Sequence, residues 1–298
     1  MSQITSHNYQ GKNDFQIIVD LSARVRPLEH RNDYPLKVDI EEALASAVVR
    51  ANTRLWFEDG HPIGWAFVDK FNNLVWELDP RYTDQAGSEM VAWGEACIRK
   101  RYPGRHTRSM DANCREDNAE RISFLEMHGF TRLNDTTVRM ARPLSDPIPE
   151  PELPQGFIIR PIAGKSEAEA VAAMHRAAFG TGYMTTENRL IVMGTSEYDP
   201  SLDLVAVAPD GRIAANCICS ANHRENIGFT DPVSTHPQFQ RMGLSRALLL
   251  TGLKLLKERG MAVAYLGTSG NNLAMQKTAE SVAFRIEYTT IWFSKDVN

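Results

Sequence analysis

Thr235-His236-Pro237-Gln238-Phe239-Gln240-Arg241-Met242-Gly243-Leu244-Ser245-Arg246-Ala247-Leu248 is the stretch that decides the fold of this 298-residue chain. Ahead of it, Ile227 to Thr235 reads as a β-strand. Behind it runs a helix, apolar at Ala247, Leu248, Leu249, Leu250, Leu253, Leu255 and Leu256. That stripe is too broad for a surface helix and suits one that packs on a sheet. Lys257 and Arg259 occupy the last turn, and Gly260 stops the helix. Ala262 to Leu266 then reads as another buried strand. A strand, a glycine-bearing turn and a helix in that order aim free backbone N–H groups, and the positive end of a helix dipole, at a bound phosphate.

The motif Gln240-x-x-Gly243-x-Ser245 resembles the Gln/Arg-x-x-Gly-x-Gly/Ala pyrophosphate loop of the GNAT acetyltransferase superfamily, which binds acetyl-CoA. Ser245 departs from the pattern, but serine is small and starts helices well, so the loop is expected to survive. The resemblance implies that Gln240, Arg241, Met242, Gly243, Leu244, Ser245 and Arg246 cradle the diphosphate of acetyl-CoA. It also implies that the strand before the loop splays from its neighbour, and that the backbones of Val233 and Thr235 meet the pantetheine arm in the gap. Pro232 cannot donate a ladder hydrogen bond, which predicts a bulge or splayed edge at that point. Asn272 matches the family asparagine that contacts the cofactor arm.

Length allows two domains. A net charge of −4 gives no reason to invoke nucleic acid or an anionic membrane. The polar N-terminus carries no signal-type apolar run and nothing later approaches a membrane span, so a cytoplasmic protein is expected. Four scattered cysteines make no disulfide framework, and Cys217 and Cys219 should share a strand face as packing residues. The eight histidines show no ligand spacing with them, so no metal is expected.

Pro143 to Gly156 is too proline-rich for a helix or a central strand and predicts a stiff extended linker. It separates halves of nearly equal length, and these repeat each other. Pro80, Tyr82, Ala86 and Ser88 pair with Pro237, Phe239, Gly243 and Ser245 at one constant offset. A helix ending in basic residues precedes Gly104 in one half and Gly260 in the other. Asn118, Glu126 and Phe130 pair with Asn272, Glu280 and Phe284 at a second offset. The expected fold class is α/β, with two tandem GNAT-like domains, each a mixed, mostly antiparallel sheet flanked by helices. Residues 1–143 form a degenerate domain, 144–155 the linker and 156–298 the acetyl-CoA-binding domain. The first is degenerate because Thr83, Asp84, Ala86 and Glu89 stand where the second has Gln240, Arg241, Gly243 and Arg246, and two carboxylates there oppose a diphosphate.

Elsewhere, Phe157 to Ile162 reads as an edge strand and Ser166 to Ala178 as a helix with Ser166 at its N-cap. Leu204 to Ala208 and Ile213 to Ser220 read as a hairpin about Pro209-Asp210-Gly211, and Thr53 to Glu58, Gly64 to Asp69 and Leu74 to Leu78 as strands of the first half. Gly164-Lys165-Ser166 only mimics the end of a nucleotide loop, since Ile159 stands where its first glycine belongs.

Acetyl transfer needs a neutral amine set against the thioester, a proton acceptor, and stabilisation of the departing thiolate. In many GNAT enzymes a tyrosine four residues before a closing Gly-Phe pair protonates the thiolate. Here the pair is Ala283-Phe284 and that position holds Ala279; the first half holds Leu125. Tyr288, or Tyr265 on the preceding strand, could supply the proton instead, or solvent could. Asp231 and Glu225 are the candidate bases, and strand alternation would put Asp231 on the same face as Thr235. His236, directly before Pro237, is expected to be structural. The expected function is N-acetyl transfer from acetyl-CoA to a primary amine of a small-molecule acceptor by the C-terminal domain, with the N-terminal domain walling the acceptor pocket or holding the two in register. The alternatives are a non-catalytic acyl-CoA-binding protein and a tandem-GNAT aminoacyl transferase. The second needs neither a pyrophosphate loop nor an acidic chain.

Overall fold

A computed structural model describes residues 3–103 and 108–297; Gly104 lies outside them. The first half contains β1 (Ile4–Asn8), α1 (Lys12–Val25), α2 (Lys37–Ala45), α3 (Ala47–Ala51), β2 (Thr53–Glu58), β3 (His61–Val68), β4 (Leu74–Leu78), α4 (Thr83–Arg101), β5 (Ser109–Arg115), α5 (Ala119–Met127) and β6 (Thr131–Pro143). The second contains β7 (Ile158–Pro161), α6 (Ala168–Phe179), α7 (Thr186–Val192), β8 (Asp203–Val207), β9 (Ile213–Asn222), β10 (Ile227–Thr235), α8 (Leu244–Glu258), β11 (Val263–Ser269), α9 (Leu273–Glu280) and β12 (Arg285–Asp296). Both halves run strand, helices, three strands, long helix, strand, short helix, strand. The repeat is therefore structural as well as sequential. Pro80–Tyr82 and Pro237–Phe239 are matching short 3-10 turns, and Asn118 and Asn272 each cap a helix by accepting a backbone N–H. Phe130 and Phe284 are both buried. Among the described residues no helix is long and apolar enough to cross a membrane.

The compact units do not follow the expected division at 143 and 156. One comprises Met1–Asp135 with Thr290–Asn298, the other Thr136–Thr289. Hydrogen bonding is the reason. Residues 137–143 of β6 pair antiparallel with β11, from Thr137↔Ser269 to Pro143↔Val263, and complete the second unit. Residues 290–296 of β12 pair antiparallel with β5 and complete the first. Each half thus gives its last strand to the other half's unit. The burial is equally exchanged: Val138, Met140 and Leu144 join the α8 core, whereas Ile291 and Phe293 pack with Trp76, Met90 and Phe124.

The proline-rich segment is a strap on the second unit. Leu144 is buried and its N–H donates to Ala262 O at 2.8 Å, Ile148 and Leu153 lie against the α8 core, and Arg142 donates to Pro147 O. Within that unit the strands run β7-β8-β9-β10-β11, antiparallel except for β10 with β11, and β6 closes the set. Helix α6 begins at Ala168 behind a 3-10 turn, so Ser166 is not its N-cap; the hydroxyl donates to Ala163 O instead. Cys217 and Cys219 are buried packing residues, with sulfurs 3.7 Å apart.

Ala283 ends α9 with a φ of +69°, a left-handed conformation that costs an L-residue about 1–2 kcal/mol. Its counterpart in the repeat is Gly129, at φ +80°, where an added Cβ would meet only ordinary contacts with Lys295. Ala283→Gly should therefore raise Tm by roughly 2–4 °C, and Gly129→Ala should lower it by a similar amount. Scanning calorimetry of the two variants checks both signs.

Candidate acetyltransferase site

The turn at the head of α8 is open and positively charged. His236 Nδ1 accepts from Gln238 N at 3.2 Å and caps the 3-10 turn, so this histidine is structural. Arg241 (φ +63°) and Gly243 (φ +81°) then take left-handed conformations on either side of Met242 and turn the backbone into the helix. The first backbone bond into α8 is Ala247 N to Gly243 O, 3.0 Å. The N–H groups of Leu244, Ser245 and Arg246 have no intrahelical acceptor, and Gly243 has no side chain to cap them. A Cβ on Gly243 would meet nothing within 4 Å. Neither Arg241 nor Arg246 forms an ion pair among the described residues. Ser245 fits because its hydroxyl turns back onto the strand, 2.7 Å from Thr235 Oγ1.

Strand β10 leads into this turn and parts from β11 on the way. The parallel register holds for Ile227↔Val263, Gly228↔Ala264 and Phe229↔Tyr265. Against β9 the register slips between Thr230 and Val233, where Pro232 removes a donor. Past the slip, Val233 and Thr235 keep Cys217 and Ala215 as partners on the β9 side only. Side chains hold the edge where the ladder fails: Thr230 Oγ1 donates to Tyr265 O at 3.2 Å, and Gly267 N–H donates to Asp231 Oδ2 at 2.8 Å.

The slip also overturns the expected shared face of Asp231 and Thr235. Ahead of it Gly228 faces α8, where an added Cβ would strike Leu256, so Phe229 and Asp231 point the other way. Beyond it Thr235 faces α8 through Ser245, and Ser234 faces α6 through Met174. One inserted residue reverses strand parity.

On the Asp231 face three of the residues proposed for chemistry come together around a guanidinium that the motif did not indicate. Arg139, on β6, lies 4.0 Å from Asp231 Oδ2 and donates from Nε to the Tyr288 hydroxyl at 3.4 Å. Its guanidinium stacks 5.4 Å from the Phe229 ring centre and 5.9 Å from that of Tyr265. Asp231 is half-buried, and the partial loss of water around its carboxylate raises its pKa above the ordinary carboxylate value, against the opposing pull of Arg139 and the Gly267 N–H. Glu225 does not join them. It sits in the β9–β10 turn, at the far end of β10 from the α8 loop, roughly 20 Å of strand from Asp231. Asn272 is exposed and caps α9, accepting from Met275 N and donating to Thr268 Oγ1. Ala279 is fully buried and offers no proton. No sequence signal marks Arg139, which precedes the proline-rich segment and so lies in the first half of the chain.

The matching region of the first unit is closed. Helix α4 starts at Thr83, so the residues opposite the loop are already helical and Ala86 is buried. Just before β4, Asn73 forms an isolated parallel bridge with Asp111 of β5. Arg121 closes that edge: it donates to Trp76 O at 3.4 Å, pairs with the Glu77 carboxylate and stacks on Trp76. In α9 the corresponding residue is Met275.

The repeated element order, the parting parallel strands and the open turn define a tandem acyltransferase fold of the GNAT type. Residues 168–284 match the family model described as the acetyltransferase (GNAT) family. The match lies within the second half of the chain, and acetyl-CoA is the co-substrate of that family. A mycothiol acetyltransferase of Thermomonospora curvata is 28% identical, with 92% of each chain covered. Another, from Nocardiopsis dassonvillei, is 25% identical, with 80% of each covered. Among solved structures, a tandem GNAT protein from the clavulanic acid biosynthesis pathway shares the fold at a TM-score of 0.76 and 15% identity, covering 100% of this chain and 99% of that one. A GCN5-related N-acetyltransferase from Sphaerobacter thermophilus does so at 0.73 and 21%, covering 99% and 96%.

Two outcomes follow from this geometry. CoA at about a hundredfold over its Kd should stabilise the fold by about 2.7 kcal/mol, and calorimetry should count one CoA per chain. Gly243→Glu, which puts a carboxylate into the open turn, should abolish both signals. Asp231→Asn should raise Tm at neutral pH. The folded-state pKa of Asp231 is raised, so its ionisation costs stability as pH climbs from the unfolded to the folded pKa; the variant's advantage should vanish below the ordinary carboxylate range, where both states are protonated. Thermal scans from acid to neutral pH read this difference.

Proposed function

We propose that the second unit transfers an acetyl group from acetyl-CoA to a primary amine of a small-molecule acceptor. The observation that carries this reading is the contrast between two copies of one fold, with the α8 turn and the β10 edge open in one and the equivalent places closed in the other. The N–H groups of Leu244, Ser245 and Arg246, with Arg241 and Arg246, would hold the diphosphate. The free edge of Val233–Thr235 would pair with the pantetheine amide groups in strand fashion. Relatives named mycothiol acetyltransferase match along most of the chain, which favours a small acceptor.

On this reading the amine meets the thioester on the Asp231 face. The C–N bond forms as the C–S bond breaks. Asp231 takes the proton from the amine nitrogen, and its raised pKa suits that task better than an ordinary carboxylate. Tyr288 gives its hydroxyl proton to the departing sulfur, in place of the tyrosine absent at Ala279. A CoA-binding protein without turnover is favoured by one observation, the buried Ala279.

A panel of small amines with acetyl-CoA, read by thiol release, tests the activity. Tyr288→Phe should lower turnover by about 10²–10⁴-fold while the CoA-dependent thermal shift stays unchanged, since only a hydroxyl is lost. Full turnover by Tyr288→Phe on a working acceptor would remove the phenol from the mechanism. CoA binding with no thiol release from any amine would favour the binding protein.

A further inference from the structure

We propose that Arg139 is a positioning residue of the transfer site, which fixes the Asp231 carboxylate and the Tyr288 hydroxyl relative to each other from a strand that belongs to the opposite half of the chain. The inference rests on the roles given above to Asp231 and Tyr288. Its geometric part stands apart from them.

Along β6 the side chains of Val138 and Met140 enter the α8 core, so Arg139 between them faces the other way, onto the surface that carries Phe229 and Asp231. The side chain is 13% exposed and its guanidinium lies over two aromatic rings, which limits its rotation. Two different nitrogens of one rigid plane reach the two groups: Nη1 toward Asp231, and Nε to Tyr288. A planar fork with fixed donor directions can set the separation of a base and an acid. A lysine ammonium, a single point of charge, cannot address both at once.

The same placement acts electrostatically. Asp231 meets Arg139 from β6 and the Gly267 N–H from β11, and the buried thiol of Cys217, on the α8 side of β9, lies within electrostatic reach of it. Arg139 is the cation among them. It opposes burial and keeps the carboxylate able to ionise, so that it can accept a proton. It also favours the phenolate left when Tyr288 gives up its proton. Arg139 precedes the proline-rich strap, so the second half alone would lack this residue as well as the strand that carries it.

The test compares Arg139→Gln, Arg139→Lys and the parent in three measurements. In steady-state kinetics on a working acceptor, Arg139→Gln should lower kcat by about 10²-fold, the scale of a misplaced catalytic group, with the CoA-dependent thermal shift retained. Its acid limb in the pH profile of kcat/KM should move to higher pH, because a cation that stabilises the Asp231 carboxylate has gone. Arg139→Lys should restore the limb and leave kcat low, which separates charge from fork. A structural role alone would move neither limb. Carboxyl-carbon NMR titration of Asp231 needs no acceptor, so it reads the positioning claim even if no amine is turned over. Arg139→Gln should raise the Asp231 pKa. An unchanged Asp231 titration in Arg139→Gln, or parental kcat in Arg139→Lys, would overturn the proposal.

Discussion

The parallel ladder between β10 and β11 stops at Phe229↔Tyr265, and the candidate site is built around that stop. Two strands that part leave an edge of backbone donors and acceptors without a ladder, and such an edge must be satisfied or kept accessible. The second unit does both. Thr230 and Asp231 supply side-chain substitutes beside the last paired residues, and the edge from Val233 to Thr235 remains open up to the α8 turn. The inserted residue near Pro232 sets which side chain faces which layer. It leaves Asp231 on the Arg139 face and turns Thr235 toward Ser245.

The first unit has a similar parting of strands and a different solution. There Arg121 donates to Trp76 O and to the buried Glu77, which also binds Arg26 at 2.7 Å. A protein side chain occupies the edge, and a helix has absorbed the turn. The same topology thus carries an open edge in one unit and a filled one in the other, with Met275 and Arg121 at the matching position of the short helix.

Strand exchange makes the two units interdependent in composition. The second unit takes β6, with its buried Val138 and Met140, from before the proline-rich segment, and the first unit takes Ile291 and Phe293 from the end of the chain. Cutting at the prolines would expose β11 as an edge and leave the Met140 site empty, a loss on the order of 2–5 kcal/mol for one large core side chain. It would also remove Arg139 from the face that carries Asp231.

Local chemistry was legible in the sequence by itself. The bounds of β2, β4 and β10, the α8 helix stopped near Gly260, the irregularity at Pro232, the open turn at Gly243 and the repeat all rest on period, proline and glycine, which act over a few residues. The three central strands of each half and the long helix after them followed from the same signals, whereas β1, α1, α2, α3 and α7 did not. Tertiary structure alone decided the rest. Which strand pairs with β11 depends on hydrogen bonds between residues more than a hundred positions apart. Composition marks the proline-rich stretch as extended but is silent on the surface it covers. The facing of Asp231 relative to Thr235 depends on a one-residue slip against β9, which no alternation pattern reveals. Arg139 could not be assigned to the site until β6 was seen beside β11, because proximity across a sheet is fixed by pairing and not by order along the chain.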